Sequence, residues 1–187
     1  MESSATTNKS ILLIICTTIL FAITPLYADN WIQDAANGCK IWNPHPQPGE
    51  TIEWYGSIET NTACGYGMAV WKQKGKETEN VSGQWKKGKP DGYAVWNSAN
   101  GAQYAGEWKN GVKQGYGILT SPDGSIFIGA FDNNQQSIGR SLDPKGKRVD
   151  AIETPLIRSI VFKAQDAAIQ ARKAAAKAKV ENQKGKS

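Results

Sequence analysis

The stretch YAGEWKNGVKQGYGILTSPDG, Tyr104 to Gly124, decides the fold. It holds two short apolar segments, each bounded by glycine-rich turns, and is too short for a pair of helices. In an extended strand, side chains alternate between faces. Tyr104, Gly106 and Trp108 then share one face, and Ala105, Glu107 and Lys109 the other. Asn110-Gly111 and Pro122-Asp123-Gly124 are turn signals. A second strand runs on from Gly115 through Tyr116 to Thr120. The unit reads as a β-hairpin. The glycine between two aromatics leaves a gap on the buried face, into which a neighbouring ring fits.

The unit recurs. Gly83, Gly106 and Gly129 are 23 residues apart, and Trp85, Trp108 and Phe131 keep the same frame. So do Gly88 with Gly111, Gly92 with Gly115, and Gly101 with Gly124, while Val81, Tyr104 and Phe127 stand two residues before the first glycines. A looser copy runs from Trp54 to Gly75, with Gly56, Gly65 and Gly67 in place and Asn61 where the turn glycine would be. Between this copy and the next the spacing grows from 23 to 27 residues through Lys76 to Asn80, which predicts a longer turn. A period of this size marks stacked supersecondary units.

The pattern aromatic-x-Gly-x-aromatic, Gly turn, Gly-x-Gly, Gly turn resembles the MORN repeat. Tyr104, Gly106, Trp108, Gly111, Gly115, Gly117 and Gly124 match it in full, and the copy at 81–101 departs at Val81 and Ala94. The resemblance implies a mainly β fold: a single-layer, twisted antiparallel sheet of consecutive hairpins. The expected organisation is repeats over 54–139 (54–75, 81–101, 104–124 and a partial 127–139), a linker over 140–151 and a helix over 152–184. Open sheet edges then need caps. The proline-rich lead-in of 29–53, with Cys39 to Glu50 at its centre, is expected to protect the first edge.

Residues Ile11 to Ala28 form an apolar run after a short polar stretch containing Lys9, and end in Pro25-Leu26-Tyr27-Ala28. That is the layout of a secretory signal peptide over 1–28, and predicts an exported, periplasmic or secreted protein; the alternative is an uncleaved N-terminal anchor. Two cysteines remain beyond it, Cys39 and Cys64. An even number in an exported chain predicts a disulfide. It would close a loop of about 25 residues and stabilise by roughly 2–4 kcal/mol.

The C-terminal segment is helical in composition. Ile157, Val161, Ala164, Ala168, Ala171, Ala175 and Ala178 recur at spacings of three and four, and Pro155 suits a first helical turn. The apolar first half is expected to cap the C-terminal end of the sheet. The alternatives are a basic helix on a membrane surface, and self-association through the alanine seam. The charge sits here: 156–187 is +6, against −1 for 29–155. The basic balance therefore belongs to the tail, with Arg172, Lys173, Lys177 and Lys179 as candidate contacts, each adding roughly 1 kcal/mol near an anionic leaflet. A nucleic-acid groove is not indicated.

Catalytic chemistry finds no support. His45, the single histidine, sits in a proline run, and Asp91, Asp123 and Asp132 fall in or near turns. No phosphate loop, dinucleotide motif or metal-ligand cluster is present, so no cofactor or metal is expected. Tyr55, Tyr93, Trp96 and Tyr116 fall outside the aromatic ladder; they either pack on the reverse face or the tail, or form a binding strip. The expected function is a non-enzymatic scaffold that binds a protein partner or a second copy of itself in the cell envelope. The alternative is a membrane-associated module acting through the basic tail.

Overall fold

The computed structural model describes residues 30–150 and 153–184. The expected signal peptide lies outside the described residues, as do Ala151 and Ile152. The chain is mainly β, with one C-terminal helix. Eight strands follow one another as an antiparallel meander. They are β3 (Glu50–Glu59), β4 (Thr62–Gln73), β5 (Lys76–Lys86), β6 (Lys89–Ser98), β7 (Gln103–Lys109), β8 (Val112–Thr120), β9 (Ile126–Asp132) and β10 (Gln135–Leu142). Ahead of them stands a small hairpin, β1 (Trp31–Gln33) with β2 (Lys40–Trp42), and behind them the helix α1 (Pro155–Lys184).

Five hairpins close on two-residue turns in which both residues have positive φ: Thr60-Asn61, Lys74-Gly75, Lys87-Gly88, Asn110-Gly111 and Asn133-Asn134. This is the turn whose twist matches the strands it joins. Asn61 reaches φ 58° without being glycine, because asparagine tolerates the left-handed region. The extra residues between the first two copies do not lengthen a turn, as the spacing had suggested. Lys74-Gly75 is as tight as the others, and the insertion extends β4 and β5 to 12 and 11 residues, with a register shift between Trp71 and Lys72. Strand pairing satisfies the added backbone groups, which a loop would leave to solvent. The last copy is likewise a complete hairpin, ending at Leu142.

A single row of small residues crosses the meander. Gly56, Gly67, Gly83, Ala94, Gly106, Gly117, Gly129 and Gly139 pair in turn from β3 to β10. Trp54, Tyr104 and Phe127 lie over this row. A Cβ added at Gly117 would stand 2.6 Å from Tyr104 Cε2, one at Gly56 2.6 Å from Trp54 Cζ2, and one at Gly139 2.8 Å from Phe127 Cζ. The indole N–H groups complete the seat: Trp85 donates to Gly67 O at 3.2 Å and Trp108 to Ala94 O at 3.1 Å. Tyr104 is fully buried, in edge-on contact with both Trp108 and Phe131. The sheet coils round the rings, which bury one another with Ile52, Trp54, Trp71 and Trp85.

The row explains the irregular second copy. Val81 takes the place of the tyrosine, and Ala94, at the position corresponding to Gly117, takes the place of the glycine. A shorter side chain above leaves room for a methyl below. The two glycines of each Gly-x-Gly pair thus have different duties. Gly117 sits in the row, whereas Gly115, at φ 89°, sits in a register break between β7 and β8. There the Glu107 carboxylate accepts the Tyr116 amide at 2.7 Å, and Gln84 does the same for Tyr93 one copy earlier.

The lead-in, expected to protect the first edge, covers part of the free edge of β3: Asp34 accepts the Trp54 amide at 2.7 Å and Asn37 donates to Trp54 O at 3.2 Å. β2 crosses the hairpin ends: Lys40 N donates to Asn61 O at 2.8 Å and Trp42 N to Gly88 O at 2.9 Å. Ile32, Cys39 and Ile41 reach into the aromatic core. The expected Cys39–Cys64 bridge is not formed; both are free thiols. Cys39 packs on the core side next to Ala63, and Cys64 alternates with Ala63 along β4, so the two side chains leave opposite faces. Burial, with Asp34 and Cys64 adding to it, pushes the Cys39 thiol up to about 12.

Two outcomes follow. Gly117→Ala should destabilise by about 1–3 kcal/mol through overpacking. Combined with Tyr104→Val, which rebuilds the second copy's arrangement, it should cost clearly less than the sum of the single changes; additivity in thermal melts would refute the ring-over-glycine account. Peptide mapping after alkylation without reductant should find the partly exposed Cys64 labelled in the folded protein and the buried Cys39 only once it is unfolded. A peptide pair two hydrogens lighter would mean a bridge.

Candidate binding surface

The reverse face of the sheet is occupied by α1. Thr154 caps it, accepting the Ile157 amide on Oγ1 at 3.2 Å, and Pro155 opens its first turn. A helix of 30 residues is about 45 Å long. Eight strands at about 4.8 Å spacing span roughly 34 Å, and α1 touches every strand from β3 to β10. The expectation that its first half caps one end of the sheet is therefore corrected, because the whole helix crosses the strands. The predicted periodic residues are the contact. Val161 and Ala164 pack on Ile128 with Tyr116 and Ile118, and Ala168, Ala171 and Ala175 on Val95 and Ala105 with Tyr93. Alanine suits this seam because the sheet already presents tyrosines and branched chains, and a small partner lets the helix approach. The alanine seam is consumed within the chain, not left for self-association.

The segment expected as a linker is also built in. Leu142 pairs with Arg148, and Glu153 gathers Arg140 (2.5 Å), Arg148 (2.6 Å) and Arg158 (3.3 Å) just before the helix. These half-exposed pairs set the chain's direction more than they stabilise it.

The aromatics outside the ladder divide between two places. Tyr93 and Tyr116 lie under α1, and Lys163 stands over the Tyr116 ring at 5.3 Å. Lys177 stands over Tyr66 at 4.1 Å. Trp96 joins the core side, donating to Glu79 at 2.7 Å, with the Lys113 ammonium over it at 4.4 Å. Burial pushes the Lys113 ammonium down, and Glu79 opposes that shift. Tyr55 bonds Glu53 at 2.7 Å, which raises its hydroxyl to about 12. None of the four forms a continuous open strip.

What the sequence reading missed is the outer face of α1. With alanine turned inward, the large apolar groups turn outward: Leu156, Phe162, Ile169 and Val180 are 59, 72, 48 and 51% exposed. At 100° per residue, Phe162, Ile169 and Val180 fall on one line. Arg158, Arg172 and Lys179 lie along one flank, Lys163 and Lys177 along the other, and Lys173 beside the line itself, all exposed. Among the described residues, Asp166 stands near this line and no helix is long and apolar enough to cross a membrane. No group of three or more potential metal ligands occurs among them either. Asp91 and Asp123 do the work of turns: Asp91 accepts the Asn110 amide at 3.0 Å and Asp123 the Ser125 amide at 2.9 Å.

The hairpins at the centre decide the family. The MORN repeat family model matches residues 82–103 and 104–126. The chain carries MORN repeats. Modules of this family serve in protein and membrane interaction and are generally non-catalytic. The outer hairpins, β3–β4 and β9–β10, lie outside the matched residues yet continue the same glycine row. No curated protein matches the chain.

Ala171→Leu should lower stability by about 1–3 kcal/mol by forcing α1 off the sheet, whereas Ala176→Leu on the outer face should stay within about 0.5 kcal/mol. Equal denaturant midpoints for the two variants would contradict the packing described.

Proposed function

We propose that this chain is an exported, non-catalytic scaffold whose MORN sheet serves as a rigid mount for α1, and that α1 docks on an anionic membrane surface. The observation that carries the reading is the outward line of Phe162, Ile169 and Val180 with the exposed cations Arg172, Lys173 and Lys179 beside it. A soluble helix on a sheet ordinarily buries such residues and exposes alanine; here the order is reversed. Apolar groups flanked by lysine and arginine are what an interfacial helix inserts at the headgroup boundary. The near-neutral charge of 29–155 does not weigh against this reading, since the cations lie on the helix. Export rests on the signal-like segment at 1–28.

A second reading places a protein partner, or a second copy, on the same line. The seven-residue spacing of Phe162, Ile169 and Ala176 favours it, because that is the seam of paired helices.

Co-sedimentation with vesicles separates the two. The chain should pellet with vesicles containing anionic lipid, stay in solution with neutral ones, and be released by salt. Phe162→Gln with Ile169→Gln should abolish pelleting without lowering the melting temperature. No pelleting with either lipid would overturn the membrane reading. A doubled mass in sedimentation equilibrium, lost in the same variant, would then support the paired-helix reading.

A further inference from the structure

A second surface, remote in kind from α1, lies along the hairpin ends. A cleft of about 860 Å³ is lined by Trp31, Lys86, Lys87, Lys89, Lys109 and Glu59, among others, with no residue from the helix. The near-neutral charge of the repeats hides it. Strand ends and turns bring four lysines to one place against Glu59 and Asp91. Lys109 pairs with Asp91 at 3.3 Å, and Lys89 stands over the Trp42 ring at 4.5 Å. Lys86 and Lys87, both exposed, have no ion-pair partner among the described residues. Hairpin ends two strands apart repeat at about 10 Å, so Lys86 and Lys109, at equivalent positions of successive copies, follow one another along the cleft.

Two tryptophans are set on this edge by the turns. The Trp31 ring rests against Gly88, and the Trp42 ring against Gly111, where a Cβ would stand 2.6 Å from its Cζ3. Both glycines hold a positive φ, which the turn demands, and both lack the side chain that would push the ring away. Trp31 remains 37% exposed. It offers open indole surface beside free ammonium groups.

We propose that this cleft binds an acidic polysaccharide, with sugar rings on Trp31 and carboxylates on Lys86 and Lys87. Charge complementarity calls for a polyanion, and the backbone tells which kind. An extended peptide gains most of its hold from backbone pairing along an open strand edge. The hairpin ends have no such ladder to give: Gly88 N is bonded to Ala63 O, Gly111 N to Pro90 O, and Gly88 O to Trp42 N, each at 2.9 Å. What remains is side-chain chemistry, an indole face for the C–H side of a sugar ring and ammonium groups for its carboxylate. This surface is independent of the α1 reading and stands or falls apart from it.

The test is affinity electrophoresis of the full chain through gels holding polygalacturonate, neutral dextran or poly-L-glutamate. The chain should be retarded by polygalacturonate, and at least tenfold less at equal concentration by dextran or polyglutamate. Lys86→Gln with Lys87→Gln, and separately Trp31→Ala, should each weaken retardation about tenfold with the melting temperature unchanged. If Trp31→Ala does not fold, the exposed lysine pair decides alone. Lys173→Gln with Lys177→Gln, on α1, should leave retardation intact. Absence of retardation, indifference to the Lys86/Lys87 change, or equal retardation by polyglutamate would overturn the proposal. A loss caused only by the α1 variant would also overturn it.

Discussion

Everything in this protein depends on rings lying over a row of glycines that one alanine, Ala94, interrupts. The row from Gly56 to Gly139 crosses eight strands, and Trp54, Tyr104 and Phe127 rest on it. This contact does two things at once. It buries large apolar rings in a chain with only one sheet, and it coils that sheet round them. A flat sheet would leave the rings in water; here Tyr104 and Phe131 are buried among their neighbours. Because each ring touches the next, the copies form one continuous core.

The coiled sheet creates the second layer. Its reverse face carries Tyr93, Val95, Ala105, Tyr116, Ile118 and Ile128, a surface too apolar to leave open. α1 closes it, with a length matched to the strands it crosses and a side-chain size matched to what the strands present. The consequence is an inversion. With alanine sufficient for the inner face, the large apolar residues of the helix are free to face outward, and the functional reading moves with them.

Much of this was legible in the chain. The 23-residue period, the alternation round Tyr104 and the turn dipeptides specify hairpins, because strand periodicity and positive-φ turns leave direct marks on residue type. The inner face of α1 was legible too, from Ile157 to Ala178. Other features were not. The insertion at Lys76 to Asn80 read as a turn, since nothing local says that two strands will lengthen together. Cys39 and Cys64 read as a bridge from their number alone, yet which side of a strand each one leaves depends on its pairing. The apolar first half of the helix points to a cap at one end, because apolar content alone does not say which face of a helix is buried.

The sequence by itself determined that the protein is a repeat of β-hairpins with a helix behind them, because turn chemistry and side-chain period are local properties. Only the tertiary structure decided which side of the helix faces water, that the lead-in crosses the hairpin ends, and that lysines distant in a neutral stretch gather beside Trp31. Those outcomes depend on contacts between elements far apart in the chain. Such contacts are fixed by which surfaces fit one another, and no residue's own preference records them.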